Sequence, residues 1–318
     1  MLSTLGSLCN ETVEEFLESM RKYEEAVTHV EGHVTITGIT DQNKTVVVRA
    51  NVLFSDECYA IDLQHIDPNQ KGLRERTIYG STPHYEYEVQ GNVGDSDLKV
   101  TRLARKGENP SPQSKQDYIA LLKYHLQPVR VETAHLIGLL QKAKVDKEEK
   151  EDSEVGTGER IIHLRFSLPT EEVVNTSKGL KISQGTIRFT KTSHRLPSLI
   201  MYAMQTKTAT GEGRTRIEYE PVDGKHWLPS KIEESEVWQL TSGTTIRFSR
   251  SMVCRFTLHN KPIERSRFTL SAFGLPEPPW LTPATPEPAG VPWTLYGVAV
   301  GFGLLIVCIL LSRRKATA

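Results

Sequence analysis

Two hydrophobic periods divide this chain. From Asn10 to Val27, Val13, Phe16, Leu17 and Met20 recur at steps of three and four, and Tyr23 and Val27 continue the stripe. This spacing predicts an amphipathic helix with Asn10 at its N-cap. After it the period falls to two. Val34 and Ile36, then Val46, Val48, Ala50, Val52 and Phe54, then Tyr59, Ile61 and Leu63 alternate with mostly polar neighbours, as strands with one buried face do. The breaks at Asp41–Asn43 and Ser55–Glu57 are short enough to join antiparallel neighbours. Tyr85, Tyr87 and Val89 keep the alternation, and Leu98 and Val100 resume it after a Gly-Asn-Val-Gly-Asp turn.

The middle of the chain reads differently. Tyr118, Ile119 and Leu122 stand at helical spacing within Ser114–Leu126, Pro128 breaks the run, and Ala134, Ile137, Leu139 and Leu140 resume it within Val131–Lys144. These predict a helical insert. Asp146–Glu154, DKEEKEDSE, is almost entirely charged, and a solvated loop over 146–158 is expected. Strands then return. Ile162, Leu164, Phe166 and Leu168 form one alternating row, and Ile187 and Phe189 form another. Leu199–Met204 is apolar on both sides, and Asp223-Gly224 marks a hairpin. Ile246, Phe248, Met252, Cys254, Phe256 and Leu258 make a last inward row, interrupted by Arg250. So many strands with so few helices exclude a doubly wound parallel fold, which alternates the two throughout.

The end of the chain changes the picture. Residues 292–311, PWTLYGVAVGFGLLIVCILL, carry no charge, and about 20 apolar residues suffice to cross a hydrocarbon core as a helix. A transmembrane helix over 292–312 is predicted, with Trp293 and Tyr296 at one interface and Arg313, Arg314 and Lys315 at the other. The positive-inside rule places the large domain outside the cytoplasm, periplasmic or otherwise extracytoplasmic, in a single-pass membrane protein. The opening MLSTLGSLCN lacks a basic n-region and an apolar core, so it does not read as a secretory signal. Insertion by the tail, with the large domain in the cytosol, is therefore the competing topology. Residues 1–9 are expected to be unstructured, 10–273 to form the folded domain, 274–291 a Pro-rich linker, and 313–318 a basic tail.

Composition narrows function. The 318 residues hold 39 Lys plus Arg against 39 Asp plus Glu, which offers no global field for a nucleic acid. Cys9, Cys58 and Cys254 are isolated, and Cys308 lies in the apolar tail, so neither a disulfide framework nor a zinc site is implied. His29-Val30-Glu31-Gly32-His33 has the letters of a zinc-protease helix in the wrong order, and Gly32 opens a strand there. Gly156-Thr157-Gly158 and Gly211-Glu212-Gly213 lack the setting of a phosphate loop, no GxSxG elbow occurs, and Glu220 with Asp223 belongs to a turn. No catalytic constellation, metal site or cofactor is predicted.

The helix leading into Gly32 and long hairpin strands, the mid-chain insert, the later meander and the stretch YEPVDGKHWLPSKIE at Tyr219–Glu233 together resemble the LolA/LolB-type lipoprotein-carrier fold. They also resemble the RseB-type envelope sensors built on that fold and related membrane-anchored proteins of planctomycete-like bacteria, some ending in a segment like FTLSAFGLPEP at Phe268–Pro278. Pro286-Glu287-Pro288, the apolar run and Arg313-Arg314-Lys315 resemble a PEP-CTERM sorting tail. The carrier resemblance implies an α+β fold: an antiparallel incomplete β-barrel covered by helices around an apolar cavity, which holds acyl chains without chemistry. The expected lining is Val34, Ile36, Val48, Val52, Phe54, Leu164, Phe166, Phe189 and Phe248. The expected function is non-enzymatic binding of lipid acyl chains or a lipidated protein at the bacterial envelope, with the bilayer as a second partner. The alternative is an interaction scaffold whose core is solid.

Overall fold

A computed structural model of the chain describes residues 2–39, 45–66, 74–92, 97–108, 130–131, 134–151, 160–175, 179–190 and 195–281. The chain divides into two compact units, Met1–Ala272 and Phe273–Ala318, and residues 273–281 are the described part of the second.

The first unit opens with helix α1 (Leu2–Ala26) and continues into strands β1 (His29–Ile39), β2 (Thr45–Ser55), β3 (Cys58–Ile66), β4 (Arg74–Ser81), β5 (Tyr85–Asn92) and β6 (Lys99–Arg105). A two-residue pair, β7 (Arg130–Val131) with β8 (Ala134–His135), precedes the short helix α2 (Leu136–Lys142). The remaining strands are β9 (Lys144–Glu151), β10 (Arg160–Asn175), β11 (Leu180–Thr190), β12 (Pro197–Gln205), β13 (Ala209–Pro221), β14 (Trp227–Leu240) and β15 (Thr245–Leu258). Thirteen of them form one sheet in the order β6-β5-β4-β3-β2-β1-β15-β14-β13-β12-β11-β10-β9. Each half is a meander of antiparallel neighbours, and β1 against β15 joins the halves. Short turns explain the neighbours: Asp56 takes a φ of 51° between β2 and β3, and Gly224 a φ of 77° between β13 and β14, both left-handed conformations that Asp and Gly tolerate.

Register carries the inner row across the joint. Val34 lies between Ala50 and Cys254, and Ile36 between Val48 and Met252. Together with the α1 stripe, Phe16, Leu17, Met20, Tyr23 and Val27, these residues belong to one buried core that also takes in Leu164, Phe166, Phe189, Ile217 and Ile232. Aromatic rings lie over cross-strand glycines on several strands: Phe256 over Gly32, Tyr87 over Gly80, Phe166 over Gly185 and Tyr202 over Gly213. A Cβ at any of these glycines would collide with the ring, so the close approach explains the residue.

The opposite face of β1 to β5 is closed by the segment that follows β15. Ile263, Phe268 and Leu270 are buried. The Ser55 hydroxyl accepts the Ile263 N–H at 3.0 Å, Tyr87 donates to the Phe268 carbonyl at 2.8 Å, and the Tyr85 hydroxyl accepts the Leu270 N–H at 3.1 Å. Arg267 adds two bonds to Glu31, at 2.6 and 3.0 Å. This strap explains why Leu53, Ala60 and Ile78, which point away from the inner core, are nevertheless buried.

Several expectations are corrected. The fold is a mostly antiparallel open sheet, and not an incomplete barrel covered by helices: its end strands β6 and β9 do not pair, and the helices do not cover it. Among the described residues, one amphipathic helix and a seven-residue one are too little to roof thirteen strands. No helix among the described residues is long and apolar enough to cross a membrane. The predicted transmembrane helix at 292–312 lies outside the described residues, as does the basic tail. Helix α1 begins at Leu2 and not at Asn10, so Leu2–Cys9, expected to be unstructured, are helical. Of the helical insert, Ser114–Leu126 lies outside the described residues, while Val131–Lys144 shortens to α2. The charged loop at 146–158 is a strand as far as Glu151, paired with β10, and the rest of it lies outside the described residues.

Candidate functional site

Eight of the nine residues expected to line a cavity converge. Val34 and Ile36 on β1, Val48, Val52 and Phe54 on β2, Leu164 and Phe166 on β10, and Phe189 on β11 are each at most 7 % exposed and share the inner core. The ninth, Phe248 on β15, stands apart from that core and is half-buried. The space they face is filled by α1: the ring of Phe16 stacks on Phe189 with centroids 4.5 Å apart. At the exposed rim of the helix, Arg195 donates to Glu15 at 2.9 Å.

The inner face changes character toward the far ends of β14 and β15. Beyond Met252, which is wholly buried, Arg250 faces Glu234 across the strand pair and donates from Nε at 2.7 Å. The guanidinium carbon lies 5.8 Å from the centroid of the Phe248 ring, within cation–π reach. One step further, the Trp238 indole donates to Glu236 at 2.8 Å. The apolar row thus ends in a half-buried charged pair flanked by aromatic rings.

Burial in this interior shifts its weak acids. Burial pushes the Cys254 thiol up from 9.0 to about 12, and it raises the phenols of Tyr23 and Tyr219 well above their ordinary value. Tyr219 donates to the Pro197 carbonyl at 2.9 Å. Cys58 and Cys254 are both buried and free.

A serine, a histidine and an aspartate do meet, a grouping the alternation pattern does not reveal. Ser55 Oγ lies 2.9 Å from His29 Nδ1, and His29 Nε2 lies 3.8 Å from Asp56. The letters are those of a hydrolase triad, but Ser55 is 3 % exposed and already accepts the Ile263 N–H. Its hydroxyl fastens the strap and has no path to a substrate carbonyl. His33 takes part in a second polar row: its Nδ1 lies 2.6 Å from Asn51 Oδ1, Asn51 reaches Asp62 at 3.5 Å, and Arg76 holds Asp62 with two bonds of 2.9 Å. Among the described residues no group of three or more His, Cys, Asp or Glu is placed to hold a metal ion.

The outer face of β10 to β14 carries a groove of about 650 Å³. Thr186, Met201, Ala203, Arg214 and Val237 are among its lining, and they alternate in sequence with the buried row. Of the expected cavity residues, Phe166 alone borders it. Arg165, Arg214, Asp146 and Glu212 give it mixed charge.

In structure the chain is similar to a DUF1329 family protein from Desulfovibrio piger, at 8 % identity and a TM-score of 0.43, over 82 % of this chain and 98 % of that one. It is similar also to a LolA superfamily protein from Nitrosomonas europaea, at 11 % identity and a TM-score of 0.39, over 80 % of this chain and 96 % of that one. No family profile and no curated protein sequence matches. The resemblance to a PEP-CTERM tail finds no support, and those residues lie outside the ones described.

Proposed function

We propose that this chain is a non-enzymatic binding protein for amphiphiles, which takes lipid acyl chains or the acyl groups of a lipidated protein between the inner face of the sheet and α1. The carrying observation is the inner face itself: a continuous apolar surface spanning both halves of the sheet, occupied by the stripe of a single helix and ending at the Glu234–Arg250 pair. Exchanging helix side chains for acyl chains keeps apolar surface dry on both sides, so the cost of opening is offset by the ligand. End strands β6 and β9 do not pair with each other, so the sheet can splay while the β1–β15 ladder that joins its halves stays intact. The charged pair then meets the polar end of the amphiphile. An extracytoplasmic location, at the envelope, belongs to the same reading, and protease added to intact cells stripped of their outer layer tests it by digesting the domain from outside.

A second reading is favoured by the tight stacking of Phe16 on Phe189: a solid core whose surfaces serve as an interaction scaffold. Native mass spectrometry of the full chain incubated with phosphatidylethanolamine and phosphatidylglycerol vesicles separates the two. Uptake of phospholipid that Phe166→Glu abolishes, in a variant still folded by circular dichroism, supports the carrier. Absence of bound lipid, together with no displacement of a fluorescent fatty acid, establishes the scaffold instead.

A further inference from the structure

The inner rows of β14 and β15 end in charge and rings rather than in aliphatic core. Beyond the buried Ile232, the inner side of β14 carries Glu234, Glu236 and Trp238, and register sets them opposite Arg250, Phe248 and Ile246 on β15. Two carboxylates therefore stand beside one guanidinium. Glu234 takes that guanidinium as its partner. Glu236 instead accepts a bond from the neutral Trp238 indole, and among the described residues no Lys, Arg or His lies within ion-pair distance of it. On its other side Glu236 pairs with Gly213 on β13, and the Tyr202 ring lies over that glycine. The neighbouring strands add no charge to this end of the face: Thr215 is opposite Glu234, and Gly38 is opposite Arg250. Glu236, Trp238 and Phe248 are all half-buried, so the carboxylate lacking a cation stands among rings and within reach of solvent.

A carboxylate drawn partly out of water is stabilised by a cation that comes to it, and aromatic faces attract the same cation. Arg250 already lies 5.8 Å from the Phe248 centroid, so this corner of the sheet holds one cation against a ring. Arg250 spends two of its five N–H donors on Glu234, and the others are available to a phosphate oxygen. Arg250 and Glu236 are diagonal neighbours across the strand pair, about 7–8 Å apart at the backbone, a span that their side chains and a headgroup with two carbons between its charges can close. We propose that Glu236 is the ammonium-binding residue of the inner face, and that the amphiphile taken up there is a zwitterionic phospholipid. Its ammonium lies between Glu236 and the rings of Trp238, Phe248 and Tyr202, and its phosphate meets Arg250. The inference rests on the reading that the inner face takes acyl chains, and it adds selection by headgroup: with two acids to one base, the site favours an ammonium and opposes a headgroup that is only anionic.

The test offers the full chain, in a neutral detergent, equal amounts of phosphatidylethanolamine and phosphatidylglycerol with the same acyl chains, and native mass spectrometry counts each bound lipid. Phosphatidylethanolamine is expected to be favoured by about tenfold. Glu236→Gln keeps an oxygen for the Trp238 N–H but removes the charge, and Phe248→Leu keeps apolar bulk but removes the ring. Each variant, checked for native circular dichroism, is expected to bring the ratio toward one, Glu236→Gln the further, whereas Glu212→Gln on the outer face leaves it unchanged. Equal uptake of both lipids by the unaltered chain, or a preference that Glu236→Gln leaves standing, overturns this inference alone. Uptake of neither lipid overturns the carrier reading and the inference with it.

Discussion

Truncating Phe16 asks whether α1 is a docked plug or part of an indivisible core. Phe16 is wholly buried, and its ring stacks on Phe189 at 4.5 Å. Phe→Ala in a core costs about 3–5 kcal/mol, from lost transfer energy and the cavity left behind. For a docked plug the whole loss falls on the docking equilibrium of α1. At about 1.36 kcal/mol per decade, that is roughly two to four decades of amide protection. Hydrogen exchange read by mass spectrometry is expected to show this loss over Val13–Ala26, with β1, β2 and β15 at the centre of the sheet unchanged. Uptake of fluorescent fatty acid should rise in the same variant, since the competing helix is weakened. Loss of protection spread evenly over helix and sheet would refute the plug, because it would mean that α1 opens only when the whole unit does.

Three further outcomes test other parts of the structure. Ser55→Ala leaves the buried Ile263 N–H without its acceptor, which is expected to cost about 1–3 kcal/mol in urea unfolding while leaving esterase readings at background. Asp62→Asn breaks the paired bonds from Arg76 and should cost about 1.5–3 kcal/mol, measured the same way. The Cys254 thiol is raised from 9.0 to about 12 in the folded chain, so the unfolded thiol ionises first. Its contribution is complete below the unfolded value and is lost as pH climbs toward 12, and Cys254→Ala should flatten that alkaline slope in pH-dependent melting.

What could be read from residues alone follows from what alternation encodes. A period of two states which side of a strand is buried, and it placed Val34, Ile36, Val48, Val52, Phe54, Leu164, Phe166 and Phe189 together on one inner face. It is silent about what covers that face, and the interior holds α1, whose own stripe is the complement of the sheet rather than a roof over it. Nor does it name distant neighbours: the joint of β1 with β15 links residues more than two hundred positions apart. The strap was missed because Ile263, Phe268 and Leu270 follow no regular period. A trace of it was nevertheless present in β2 to β4, where Leu53, Ala60 and Ile78 put apolar side chains on the face that should have met water. Phe248 was placed with the lining by parity alone, which ignores that a row can run past the end of the core. Arg250, the one break in that row, marked where it does.

The charged run from Asp146 reads as a loop, yet Lys144–Glu151 forms edge strand β9, and its composition explains both. Seven of its eight residues are charged, and inside a sheet covered on one face such a strand would bury several charges with no room to pair them. A loop is one escape from that cost; the edge of a sheet is the other. At an edge the free backbone side and both side-chain rows stay near water, so charge is tolerated there and even selected. Composition of this kind therefore excludes a central strand but does not exclude a strand. In an open sheet of thirteen, two strands must take the edges, and β6, with four cations in Lys99–Lys106, satisfies the same condition with the opposite sign.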